Sequence, residues 1–313
     1  LSGLTGCLTF LLFIGFKTTD GNNVFLGGLG IFSALISSFY SIEVIRLFYR
    51  KAWCIRLPDE VPVMTRNGFQ LLVPLLVVML SITAVNTTLK LTTGMILPNL
   101  ISEAFRPLII ASDTLTAILI SLIICNLLWF VGIHGALIVT GIMNPFWMAN
   151  LSVNQAAIAA GTAIPHIYVQ GFWDHYLLIG GVGSTLPLAL LLIRSKAVHL
   201  RTIGRMGIVP GLFNINEPIL FGAPIIMNPL FFLPFVLVPM VNATLAYLAL
   251  DFGLVARVVS MTPWTTPAPI GASWAANWAF SPVIMCLICM VTATAMYFPF
   301  FKAYEKQLLA QEA

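Results

Sequence analysis

Apolar runs of roughly 20 residues, separated by short polar stretches that hold most of the charge, set the pattern of this chain. Val24 to Phe48, Gln70 to Leu89, Leu115 to Val131, Phe231 to Leu250 and Pro282 to Phe301 each have the length of a membrane-crossing helix, about 17–25 residues. Thr5 to Phe16 reads as the tail of a further span that ends in a turn at Lys17, Asp20, Gly21 and Asn22. Thr92 to Ser112 is less apolar and carries Pro98, Glu103, Arg106 and Pro107, so it predicts an amphipathic element along the membrane surface.

The basic residues give these spans a direction. Arg46, Arg50, Lys51, Arg56 and Arg66 cluster in one loop, Arg194, Lys196, Arg201 and Arg205 in a second, and Lys302 and Lys306 follow the last span, which places all three on the cytoplasmic side. Trp173 to Ile193 ends at the second cluster and is expected to start outside. Something between Gly132 and Gly171 must then carry the chain outward. The apolar candidate, Ala136 to Leu151, is short and interrupted by Asn144 and Pro145, which predicts a discontinuous or re-entrant crossing.

A second break is expected at Phe213 to Leu233, where Glu217 is the lone carboxylate of a strongly apolar run. A charge at bilayer depth costs roughly 2.5–3.5 kcal/mol even on lenient scales, so Glu217 should face a polar cavity. Asn214, Asn216 and Asn228 add polar side chains, while Pro218, Pro224, Pro229 and Pro234 remove backbone donors. Backbone freed in this way is tolerated at membrane depth only inside protein or against water, as in a re-entrant hairpin entering from the cytoplasmic side. A Pro-rich loop with Glu217 solvated among the headgroups is the alternative.

Composition fixes the class independently. With 59% hydrophobic and 8% charged residues in 313, and a mean hydropathy of +0.98, the chain reads as a polytopic membrane protein, and with the interrupted segments above the expected fold is all-α, with re-entrant or broken helices forming a cavity. Its net charge of +4 sits between spans and forms no nucleic-acid-binding stripe. The chain opens at Leu1 within an apolar segment that has no signal-peptide features, and it reads as a fragment.

Other residues carry possible chemistry. His134 ends a span between two glycines; it can orient or titrate a hydroxyl, or serve as a packing residue, and the residues alone leave both open. Trp129, little more than a helical turn earlier, and Trp264, in a Pro-bounded loop, offer flat faces suited to a pyranose ring. An interfacial belt fits Trp147, Trp173, Trp274 and Trp278 at least as well. His166, Asp174 and His175 admit a metal or acid-base cluster, but Trp173-Asp174-His175 opens a span and reads better as an interfacial polar cap, while His166 has no assigned role. Cys286 and Cys289 read as apolar fillers, and neither a zinc spacing nor a phosphate-binding glycine loop is present, so no metal or cofactor is expected.

The run Asn216-Glu217-Pro218-Ile219, then Phe221-Gly222, Pro224-Ile225 and Asn228 to Phe232, resembles the signature of the enzyme IIC membrane subunit of bacterial phosphotransferase systems, in the lactose, cellobiose and diacetylchitobiose branch. Trp53 to Pro62, WCIRLPDEVP, resembles a loop of the same family, as does Gly132-Ile133-His134-Gly135, and the likeness runs the length of the chain. It implies that the family's opening helices are absent here. It implies a permease for a β-linked disaccharide, with residues 1–112 as scaffold and dimerisation helices plus the amphipathic element, and residues 113–313 as the transport region. The implied partners are the disaccharide, a phosphorylated enzyme IIB that carries phosphate on a cysteine, the lipid membrane of a bacterial cell and a second copy of the chain. Trp129, His134, Asn216, Glu217 and Trp264 become the sugar site, with Glu217 as general base and His134 positioning the reacting hydroxyl. The residues also admit a proton-coupled sugar transporter with Glu217 as proton carrier, and, less directly, a membrane enzyme acting on lipid-linked substrates.

Overall fold

The computed structural model describes residues 2–14, 24–26 and 30–312, and the turn expected at Lys17 to Asn22 lies outside them. The described residues are helical with no strand, and the chain divides into two compact units, Leu1–Ile109 and Ile110–Ala313.

In the first unit, α1 (Ser2–Phe13), α2 (Ile31–Lys51) and α3 (Val63–Thr93) pack against one another, and α4 (Leu97–Ser112) follows. The buried face of α2 includes Ser33, Ser37 and Ser41 at four-residue spacing. Small residues in this register let helix backbones approach closely in an apolar medium. Ser37 and Ser41 turn their hydroxyls onto the carbonyls of Ala34 (3.0 Å) and Ser37 (2.6 Å), so neither is buried unsatisfied. Asn86 of α3 donates to the Phe13 carbonyl (2.7 Å) and accepts from the Leu97 N–H (3.0 Å), tying the end of α1 to the start of α4.

The second unit holds α5 (Leu115–Phe130), α6 (Gly135–Ala159), α7 (Gln170–Phe172) with a π-helical turn at Trp173–Leu177, α8 (Leu186–Ile193), α9 (Val198–Leu212), α10 (Glu217–Gly222), α11 (Pro229–Asp251), α12 (Ala268–Ala275) and α13 (Ser281–Glu312). Its core joins α5, α8, α11 and α13 around the α7 segment. α10 lies on α9 at Gly207, where a Cβ would run into Ile219, so the glycine sets how closely the two helices approach. Among the described residues five helices are long and apolar enough to cross a bilayer: α2, α3, α6, α11 and Ser281–Ala310 of α13.

Two expectations change. The break expected within Ala136 to Leu151 is absent: α6 runs unbroken through Asn144 and Pro145 for 25 residues. Proline removes one N–H, and continuing the helix leaves a single carbonyl unbonded, whereas breaking it would orphan several polar groups at once. The discontinuity falls later, in the segment Trp173 to Ile193, which was expected to be one regular span. There the π turn is followed by an irregular stretch with positive φ at Gly180, Gly181, Gly183 and Ser184, and then by the eight-residue α8. Positive φ is inexpensive for glycine, and three glycines within four residues let the chain double back.

The extended stretch ahead of α7 is held by side chains in place of a helix. Asn150 donates to the Tyr168 carbonyl (3.1 Å), Asn154 exchanges hydrogen bonds with His166 N–H (3.0 Å) and carbonyl (2.9 Å), and Arg257 donates to the carbonyls of Ile164 and Pro165 (2.7 Å each). Asp113 accepts from Ile167 N–H (3.1 Å) and Tyr168 N–H (2.6 Å) and bonds His166 Nδ1 (2.8 Å), which gives His166 the role the sequence left open. Trp147, assigned to an interfacial belt, is fully buried and packs on Tyr168 and Trp173; Trp274 and Trp278 are exposed and stacked on each other.

Candidate functional site

The turn from α5 to α6 places the first two residues of the site. Trp129 closes α5 and is 5% exposed, with its ring against the imidazole of His134. His134 caps α6: its Nδ1 accepts the Leu137 N–H at 3.3 Å. A nitrogen that accepts carries no hydrogen, so in the neutral ring Nε2 is the donor. The cap therefore fixes which edge of the imidazole can reach a ligand.

The loop from α9 to α10 supplies the carboxylate. Asn214, in left-handed conformation (φ 62°), accepts the Gly180 N–H at 2.9 Å and donates to the Trp264 carbonyl at 2.5 Å and the Thr266 carbonyl at 3.2 Å. One side chain thus joins the glycine-rich stretch to the Pro-bounded loop that presents Trp264. Asn216 donates to the Val182 carbonyl (2.7 Å) and to Thr185 Oγ1 (2.8 Å). Its amide nitrogen is therefore spent on the scaffold and cannot also donate to a sugar, which narrows the role expected of it. Gly181 lies so close to Asn216 that a Cβ there would overlap its side chain.

Glu217 then opens α10. Its Oε2 is buried and has no hydrogen-bond partner among the described residues. A buried acceptor in this state is poised for a donor from outside the protein.

All five residues expected at the site, Trp129, His134, Asn216, Glu217 and Trp264, line one cavity of about 260 Å³ within the second unit. This is close to the roughly 300 Å³ at the small end of ligand pockets. The wall mixes apolar faces (Leu137, Leu178, Val182) with Thr140, Gln170, Asn214 and two carboxylates, and no Lys or Arg among the described residues is part of it. Such a cavity suits an uncharged, hydroxyl-rich ligand with apolar C–H faces.

Several lining residues were not expected there, and three of them, in the α7 segment and its π turn, correct the sequence reading. Trp173 is 1% and Asp174 8% exposed, so these residues are not the polar cap at a membrane surface that the sequence suggested. His175, next to them, is fully buried and bonds Thr262 Oγ1 through Nε2 at 2.7 Å. Gln170 is the third. The available signal was the pair Gln170 and Asp174, polar residues four apart before an apolar run, but the same pattern marks the start of an interfacial helix.

The family model described as phosphotransferase system, EIIC, matches residues 1–239. The cellobiose-specific EIIC component of Geobacillus stearothermophilus is 36% identical over 92% of this chain and 65% of its own length. The lactose-specific EIICB component of Streptococcus mutans is 32% identical over 97% of this chain and 54% of its own length. The crystal structure of the transporter ChbC, the IIC component of the N,N'-diacetylchitobiose-specific phosphotransferase system, matches with a TM-score of 0.92 at 33% identity, covering 99% of this chain and 76% of that one. The chain spans 66%, 64% and 65% of the length of three curated relatives it matches.

Proposed function

Because the chain belongs to the EIIC family of the phosphotransferase system, we propose that it is a sugar permease subunit that holds a β-linked disaccharide while a phosphorylated IIB subunit transfers phosphate to the sugar's 6-hydroxyl. It is a multi-pass protein of the bacterial cytoplasmic membrane. The observation that carries the reading is that Trp129 and His134 from the α5–α6 turn, Glu217 from the start of α10 and Trp264 from its Pro-bounded loop meet on one cavity that no Lys or Arg lines among the described residues. The similarity to a cellobiose EIIC component and to ChbC supports the β-linked disaccharide class, and the lactose EIICB relative supports IIB as the partner.

The geometry suggests how the residues divide the work. Trp129, held in the wall, and Trp264, half exposed on its loop, stack on the sugar's apolar faces. His134 donates from Nε2 to a sugar oxygen near the reacting end. Glu217 Oε2 accepts the proton of the 6-hydroxyl as that oxygen bonds to phosphorus and the phosphorus–sulfur bond to the IIB cysteine breaks. A positioned base of this kind contributes roughly 10²–10⁴-fold to rate. Within this reading residues 1–112 provide the scaffold and the contacts of a homodimer, and residues 113–313 the transport region; the division of the chain after Ile109 supports that partition.

The test is uptake of labelled cellobiose, lactose and diacetylchitobiose into vesicles that contain the chain, with and without phosphorylated IIB. Sugar recovered as its 6-phosphate only when IIB is present is the expected result. Accumulation of unmodified sugar driven by a proton gradient would overturn the reading in favour of a proton-coupled transporter, and the mass of the detergent-free complex checks the dimer.

A further inference from the structure

Asp174 is the buried carboxyl group at the cavity that the reading above leaves without work. Its residue is 8% exposed, it forms part of the wall, and its Oδ2 has no hydrogen-bond partner among the described residues. Buried carboxylates in folded proteins are paired with a cation or saturated with donors, because removing them from water is otherwise expensive. No Lys or Arg among the described residues lines this cavity, and the neighbouring His175 directs its Nε2 at Thr262. Asp174 therefore does not serve as half of a structural ion pair.

The local backbone gives the side chain its direction. Trp173–Leu177 is wound as a π helix, a geometry that recurs at functional sites because it redirects side chains away from the regular helical face. Trp173 and Asp174, adjacent in sequence, both reach the cavity, and Gln170, one turn earlier, lines it beside the carboxylate. An aromatic plane, an acceptor and an amide next to one another form a sugar-reading set of the same kind as Trp129, His134 and Glu217, but on a different element.

We propose that Asp174 is a specificity-determining residue of the sugar site: its Oδ2 accepts a hydrogen bond from a ring hydroxyl other than the 6-hydroxyl, with Gln170 as its neighbour, and so selects hydroxyl configuration. The inference rests on the disaccharide reading of the cavity. Sites built to bond a hydroxyl discriminate strongly against ligands that lack it, because the protein group is then left buried and unpaired. Asp174 thus sets which disaccharide is accepted, while Glu217 acts on the hydroxyl that reacts.

The experiment is calorimetric titration of the purified chain and of Asp174→Ala, which removes the acceptor, with cellobiose, with lactose, which inverts one hydroxyl, and with monodeoxy cellobioses, alongside thermal melting in the same detergent. The expected result is that Asp174→Ala binds cellobiose at least tenfold more weakly, loses most of the preference between cellobiose and lactose, becomes indifferent to one particular deoxy position, and melts no lower than the parent. Should Asp174→Ala not fold, Asp174→Leu, close to Asp in shape and without an acceptor, is measured in its place, and failure of both to fold marks Asp174 as structural and overturns the proposal. Unchanged selectivity in a variant whose parent binds disaccharide overturns the proposal alone, whereas a parent that binds none of the sugars overturns the disaccharide reading and the proposal with it.

Discussion

The imidazole of His134 lies on the indole of Trp129 with ring centroids 4.4 Å apart and planes tilted by 51°, while its Nδ1 caps the next helix at Leu137. The same imidazole therefore ends one helix pair and presents an edge to the cavity. Replacing Trp129 with Ala removes the stacking wall and the support of the imidazole together. Affinity should fall roughly 10- to 100-fold for all the disaccharides alike, on the usual scale of 1–3 kcal/mol for such a face. His134→Ala should in addition alter the order of preference among sugars. Tryptophan-independent binding measurements such as calorimetry check both.

Glu217→Gln keeps the size of the side chain and its ability to accept from a hydroxyl, and removes its basicity. Sugar binding should persist within about tenfold of the parent, while phosphorylation by IIB falls roughly 10²–10⁴-fold. A single-turnover phosphorylation assay at saturating sugar separates the two effects, and full phosphorylation by the variant would end the assignment of Glu217 as base.

The charge of the cavity predicts how product leaves. Asp174 and Glu217 are both in the wall, and no Lys or Arg among the described residues is. A phosphate ester would bring its charge into this wall without a cation to pair it, and an anion removed from water without a partner is costly. Cellobiose 6-phosphate should therefore bind at least 100-fold more weakly than cellobiose, and Glu217→Gln should narrow that gap. Competition of the phosphate ester against labelled cellobiose measures it.

Asp113 predicts a stability effect away from the cavity. It satisfies two backbone N–H groups of the extended stretch and pairs His166. Asp113→Ala would leave those donors buried and unmet, at about 3 kcal/mol for the group. The melting temperature should drop by several degrees with sugar affinity reduced in parallel, since the same stretch leads into α7. Circular dichroism melts in detergent test this.

Gly181 predicts a packing effect. With φ at 95° and Asn216 in the space a Cβ would fill, Gly181→Ala requires both a disfavoured backbone and a shift of Asn216. Sugar binding should be lost or fall more than tenfold while Gly161→Ala, whose surroundings are open, leaves binding unchanged despite a similar φ of 66°.

What the sequence determined by itself was the local physics. Among the described residues α2, α3, α11 and α13 are long and apolar enough to cross the membrane where apolar runs were read, because apolar length is a property of each segment, and Glu217 stood out because a carboxylate in an apolar run needs a cavity whatever the fold. The motifs around Glu217 and His134 also identified the family. Only the tertiary structure decided where the chain breaks, what Asn216 does and that Asp174 faces the cavity. Those depend on partners distant in sequence: Asn214 reaches 50 residues to the Trp264 carbonyl, Asn216 reaches 34 to that of Val182, and Asn154 reaches 104 to that of Val258. Where the irregular backbone of this chain finds its partners is set by contacts of this kind, and no window of local sequence contains that information.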